Sequence, residues 1–167
     1  LYDALYGQVN FRHELVNGIF MFTSLEYARR SPLVNTSDIS YFKKDRTFLS
    51  NDPLNPESFE PSFEEHEAMT LRLNFRFRPG QKYFNYPNRK FIVESKWLDF
   101  WLKARAGLPV LGSDVSYLLL ALQIRKTLPM GLVGTSTFNA EVGDFLIDDD
   151  LQFMDFRHFI GNQTNIA

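Results

Sequence analysis

Apolar and polar residues alternate at every second position over most of this chain, and stretches with a helical period are scarce. A period of two marks strands whose two faces meet different surroundings. Residues 5–15 set Leu5, Gly7, Val9, Phe11, His13 and Leu15 against Tyr6, Gln8, Asn10, Arg12 and Glu14. Asn17-Gly18 follows, and Asn-Gly between alternating runs predicts a tight hairpin because both positions accept positive φ. Residues 19–30 alternate Ile19, Met21, Thr23, Leu25 and Tyr27 with Phe20, Phe22, Ser24, Glu26 and Arg30. Residues 69–78 give the clearest strand, with Met69, Leu71, Leu73, Phe75 and Phe77 opposed to Thr70, Arg72, Asn74, Arg76 and Arg78. Three further strands are predicted at 97–106, 115–126 and 132–142.

Between them lie turns at 79–80, 107–114 and 129–131, a connector at 81–95, and two long loops at 31–68 and 144–164. The first long loop holds Pro32, Pro53, Pro56 and Pro61 and is rich in acid (Asp38, Asp45, Asp52, Glu57, Glu60, Glu64, Glu65, Glu67), too polar and broken to fill a core.

Regular ionised positions on one face, with Leu, Phe, Met and Ile on the other over about ten residues, point to a bilayer-crossing strand, which needs about 9–11 residues. Such strands persist in hydrocarbon only within a closed barrel, because lipid offers an open edge no partner. The expected fold is therefore all-β: an antiparallel transmembrane β-barrel, of which this chain supplies about six strands. The smallest membrane barrels have about 8 strands, so residues 1–167 are expected to be part of one larger barrel domain. The start at Leu1 without Met or signal peptide, and the stop in mid-pattern at 165–167, agree with an internal piece of a longer polypeptide. Tight turns near 17–18 and 129–131 would face the periplasm and the two long loops the outside. The connector at 81–95 is longer than that parity favours.

In this reading Arg12, Glu14, Glu26, Arg72, Arg76, Arg78, Asp99, Lys103, Arg105, Arg125 and Glu141 face the lumen. Val9, Phe11, Met21, Leu25, Leu71, Leu73, Phe75, Leu98, Phe100, Leu102, Leu118, Leu120, Leu122 and Phe138 face lipid. The mixture of signs in the lumen favours cross-strand ion pairs bracing a plugged barrel over an ion-selective channel. Tyr27, Tyr41, Phe42, Trp97, Phe145, Phe153, Phe156 and Phe159, near strand ends, are expected to form interfacial girdles.

Composition narrows the alternatives. A 44% hydrophobic, 16% aromatic chain of net charge −2 is not disordered. Its longest apolar run, 117–122, is far short of the roughly 20 residues of a spanning helix. A pI near 5.9 leaves no basic footprint for nucleic acid. Without cysteine there is no disulfide, thiolate zinc site or thiol nucleophile. His13, His66 and His158 lack second ligands at metal-binding spacing, and the acidic Asp148-Asp149-Asp150 reads as an exposed loop tip. Ser24 and Ser116 have no histidine close in sequence, so neither an enzyme nor a cofactor is expected.

The segment Tyr83-Phe84-Asn85-Tyr86-Pro87-Asn88-Arg89-Lys90, the stretch 97–105, the run Phe153-Met154-Asp155-Phe156-Arg157-His158-Phe159 and the later Gly161-Asn162-Gln163-Thr164 resemble an uncharacterised Bacteroidota outer-membrane family. The resemblance covers the second half of the chain by motif and the first half by pattern. It implies a carboxypeptidase-regulatory-like domain followed by a C-terminal β-barrel in the bacterial outer membrane, and it carries no catalytic residue.

The functional expectation is an outer-membrane barrel protein in transport, assembly or surface display, with outer-membrane lipid as its first partner; a receptor-type transporter with a plug is one form of it. Two alternatives stay open. One is a soluble β-barrel or sandwich domain that binds an apolar ligand, though such a barrel would point its apolar residues inward and has no use for such long loops. The other is a client or subunit whose strand edge pairs with another outer-membrane protein or with the seam of the barrel-assembly machinery.

Overall fold

In a computed structural model that describes residues 2–33, 63–93 and 95–157, the alternating segments become strands. They are β1 (Tyr2–Val16), β2 (Ile19–Pro32), β3 (His66–Phe77), β4 (Lys82–Tyr86), β5 (Arg89–Val93), β6 (Asp99–Gly107), β7 (Ser116–Pro129) and β8 (Thr135–Asp150). Six form one antiparallel sheet in the order β1-β2-β3-β6-β7-β8, and β4 and β5 form a separate hairpin. Among the described residues the sheet does not close: β1 is paired only to β2, and β8 only to β7. No helix among the described residues is long and apolar enough to cross a membrane.

Register turns the sequence alternation into two continuous faces, since side chains directly opposite on paired strands point the same way. One row joins Met21, Phe75, Leu102, Leu122 and Val142; the neighbouring row, on the other face, joins Phe20, Arg76, Trp101, Gln123 and Glu141. The strands of the large sheet span 9 to 16 residues.

Several boundaries differ from the sequence expectation. β2 runs on to Pro32 and β3 starts at His66, so both ends of the predicted 31–68 loop are strand. His66 is buried with its ring edge-on to Phe63, not set in a solvated acidic loop. β8 continues through Asp150, so the acidic triplet is a strand end and the second loop starts later than 144. Alternation hides this because Asp144 falls on the apolar face and a bulge between Leu118 and Leu119 shifts the pairing. The strand expected from 132 begins at Thr135, after a 3-10 turn at Gly131–Val133, and Trp97 and Leu98 precede β6 instead of opening it. The rest of the first loop, with Tyr41 and Phe42, and the end of the chain, with His158, Phe159 and 161–164, lie outside the described residues.

The over-long connector is explained by its own structure. Its hairpin β4–β5 is pinned on the first turn: Asn17 Nδ2 donates to the Gln81 carbonyl at 2.8 Å, and Lys90 Nζ reaches Glu14 at 2.6 Å and Asn17 Oδ1 at 3.1 Å. In the Asn17-Gly18 turn only Gly18 takes positive φ, at 86°, and a bulge between Glu14 and Val16 absorbs the register difference. The Arg78 amide bonds the Gly18 carbonyl at 2.7 Å, and a Cβ on Gly18 would stand 2.5 Å from the Arg78 carbonyl oxygen. Gly18→Val is expected to cost about 1–3 kcal/mol, from backbone strain and this close approach. Gly7→Val, with nothing within 4 Å of the added carbon, should change stability by less than about 0.5 kcal/mol. Reversible unfolding of the two variants in detergent compares them directly.

Candidate functional site

Most ionised residues of the six-stranded sheet gather on one face, with Arg29, Glu67, Lys126 and Asp144 on the other, and the register gives the first group an immediate problem. Arg72 lies directly opposite Arg105, and like charges across a strand pair repel. Arg72 turns to Glu26 on β2, 3.2 Å away. Arg105 turns the other way, to Asp155, which belongs to no strand.

Asp155 closes a 3-10 turn, Phe153–Asp155, in the segment that returns over the polar face after β8. It is fully buried, and its carboxylate accepts from Arg30 at 2.8 and 3.1 Å, from Arg105 at 2.8 Å and from the Tyr117 hydroxyl at 3.2 Å. One side chain thus ties β2, β6 and β7 together. Tyr117 can lie there because Gly107 is its partner across β6 and β7; a Cβ on that glycine would meet the tyrosine ring at 2.6 Å. Around the carboxylate, Ala68, Val115 and Tyr117 form the largest buried apolar cluster, with Phe145 and Leu151 against it.

The same sharing recurs. Asp99 accepts from Arg76 at 2.5 Å and from Arg78 at 2.9 Å. Glu141 pairs with Lys103 at 3.2 Å and with Arg157 of the returning segment. Asp99, Glu141 and Asp155 each serve two cations. Arg12 has no carboxylate among the described residues and lies over the rings of Phe20 and Phe22, and Arg125 makes no ion pair there either. The face carries a cation excess although the whole chain is at −2. Cross-strand ion pairs of mixed sign are present on this face, with cations in excess. Outside the strands, Glu65 accepts from Ser31 Oγ at 2.7 Å and is bridged by Arg29, which together hold its carboxyl below the usual range.

All the charges expected on the lumen side share this face: Arg12, Glu14, Glu26, Arg72, Arg76, Asp99, Lys103, Arg105, Arg125 and Glu141 by register, and Arg78 through Asp99 just past the end of β3. The fourteen residues expected on the lipid side occupy the other face, with Leu98 immediately before β6. That face is largely uncovered: Val9 is 72% exposed, Leu122 57% and Phe138 60%.

Reasoning from the sequence missed three charged members of the network. Arg30 stands on the polar side of the second strand, and its position there was the available signal; Asp155 and Arg157 lie in a segment without periodicity, which gave none. The girdle expectation is corrected for three aromatics. Phe145 pairs with Leu119 on the polar face, Phe156 packs on Phe145 with ring centres 6.3 Å apart, and Phe153 packs on Tyr2 and Phe63 at 6.3 and 5.2 Å. They seat the returning segment on the sheet. Tyr27 and Trp97 do lie near opposite ends of the strands, Tyr27 on the apolar face opposite Met69.

The chain belongs to the family of unknown function DUF5686, whose C-terminal-domain model matches residues 1–167. Comparison with curated proteins and with solved structures found no match.

Asp155→Ala is expected to cost about 3–5 kcal/mol, because it leaves the buried Arg30 guanidinium without a counter-charge. Arg30→Met combined with Asp155→Leu should recover much of that loss, since the pair is then replaced by apolar contact. Unfolding of the single and double variants in detergent, set out as a mutant cycle, checks both.

Proposed function

We propose that this C-terminal domain contributes strands to a transmembrane β-barrel in a bacterial outer membrane, with its apolar face in lipid and its charged face in the lumen. The observation that carries the proposal is the inverted burial: large apolar side chains stand exposed on one face while a fully buried carboxylate and its guanidinium partners organise the other. A soluble β-sandwich or barrel turns its apolar face inward over a packed core. Here, among the described residues, the buried apolar cluster is Ala68, Val115 and Tyr117, on the charged face.

The strand lengths of 9 to 16 residues meet the roughly 9–11 that a bilayer requires. The free edges of β1 and β8 are where further strands would add, because backbone groups left open to hydrocarbon cost several kcal/mol each. The tight turn at 17–18, the hairpin β4–β5 and the turn after Pro129 lie at one end, which would face the periplasm. The ends of β2 and β3 at Pro32 and His66, and the segment after β8, lie at the other. The returning segment 151–157 acts as an inward-folded partial plug, held by Asp155 and Arg157.

The domain's role is structural, in transport, assembly or surface display, and not enzymatic. The Bacteroidota setting and a preceding carboxypeptidase-regulatory-like domain belong to this proposal, on the resemblance given above. Pairing of a free edge with another outer-membrane protein, the barrel-assembly machinery included, is the second reading, favoured by those same unpaired edges.

Leu73→Arg, in mid-strand on the apolar face, should destabilise by about 2–4 kcal/mol in lipid. Asn74→Arg, one residue on and facing the charges, should be far milder. Equal penalties in reversible unfolding would remove the assignment of faces. In intact cells, a cysteine at Asp149 should react with an impermeant thiol reagent and one at Asn17 should not; labelling at Asn17 alone would invert the topology.

A further inference from the structure

Two cavities open on the charged face, and they meet at Arg125 and Trp101. One, of about 310 Å³, is bounded by Arg76, Arg78 and Asp99; the other, of about 560 Å³, reaches Lys103, Arg105 and Arg157, and Arg125 and Trp101 line both. Asp99, the residue opposite Arg125 across the strand pair, is already engaged by Arg76 and Arg78. Arg125 therefore projects where the nearest carboxylate is taken. In the second cavity Lys103 is paired with Glu141 and Arg105 with Asp155, while Arg125 makes no ion pair among the described residues.

We propose that these joined cavities form a binding site for an organic oxyanion, a phosphate or carboxylate carried on a sugar-sized ring. The chemistry follows from the lining. A guanidinium presents a planar fork that matches the oxygens of a phosphate or carboxylate. Cations outnumber carboxylates along this lining, and such an excess raises the local concentration of ions of the opposite sign. Trp101, stacked on Phe22 with ring centres 5.6 Å apart and under the Arg76 guanidinium at 5.3 Å, offers a fixed aromatic wall against which a ring can pack. The volumes fall around those of small-molecule sites, about 300–1,000 Å³. The site rests on the register and charges of one face. It goes beyond the barrel proposal and does not depend on it.

The test is calorimetric titration of the intact protein with glucose 6-phosphate, with glucose as the uncharged control and short-chain phosphatidic acid in mixed micelles as the lipid-borne phosphate. Neutral detergent is used, or plain buffer if the protein is stable without detergent. The expected result is saturable binding of a phosphate probe that weakens as salt is raised. Arg125→Gln should weaken it at least tenfold, Arg125→Lys, which keeps the charge but not the fork, should recover only part of that loss, and glucose should not compete. Because Arg125 makes no ion pair among the described residues, both variants should keep the parent melting temperature. Glucose 6-phosphate binding identifies a soluble ligand; binding of phosphatidic acid alone, with the same dependence on Arg125, identifies a lipid headgroup. Absence of saturable binding to either probe, or equal affinity in Arg125→Gln, overturns the site. Failure of the barrel proposal would show separately, as stability and monodispersity without detergent.

Discussion

Every second side chain of a strand points the same way, so a sheet that places guanidinium groups on one face must also supply carboxylates there. In this domain the strands do not supply enough. Arg72 and Arg105 stand opposite each other across β3 and β6, and the pairing is tolerable because Glu26 draws one away and Asp155 the other. Asp155 arrives from outside the sheet, on a segment that turns back over the charged face after β8. The position of that segment, the burial of Tyr117 and the cluster with Val115 and Ala68 all follow from satisfying one acid with two arginines and a tyrosine.

A buried acid bridging two arginines is weak support for stability in itself, since desolvation offsets much of the attraction. Its use here is geometric. The three sharing acids, Asp99, Glu141 and Asp155, fix the relative positions of β2, β3, β6, β7 and β8 from the charged side. Among the described residues the apolar side has no acid shared between two cations, and many of its Leu, Phe and Val side chains are uncovered. A surface of that kind demands an apolar environment, whereas the charged face would gain nothing from one.

The strands and their faces were legible because the period of two survives nearly everywhere in the sheet, most plainly in the Met69 to Phe77 alternation. What failed was local. Asp144 falls on the apolar side, opposite Leu120, and a bulge at Leu118 and Leu119 shifts the pairing beyond it, so the last strand looks finished at Val142 when it continues to Asp150. The connector reads as irregular because β4 and β5 are only 5 residues each. Phe153 and Phe156 look like membrane-interface aromatics, but a lone ring near a strand end carries no signal of which way its segment folds; here it folds inward, onto Tyr2, Phe63 and Phe145. Asp155 is invisible for the same reason: without periodicity, spacing cannot say that it meets Arg30, 125 positions earlier.

In the proposed arrangement the two faces of this sheet meet lipid and water. A nitroxide scan of β3 from Met69 to Phe77 in the intact protein in lipid bilayers decides this, comparing collision with oxygen, which concentrates in hydrocarbon, and with a water-soluble nickel chelate. A period of two is expected, with oxygen dominant at Leu71, Leu73 and Phe75. At Thr70, Asn74 and Arg76 oxygen collision should be low and the chelate should dominate wherever the face is open. Dominance of the chelate at Leu71, Leu73 and Phe75 would contradict it.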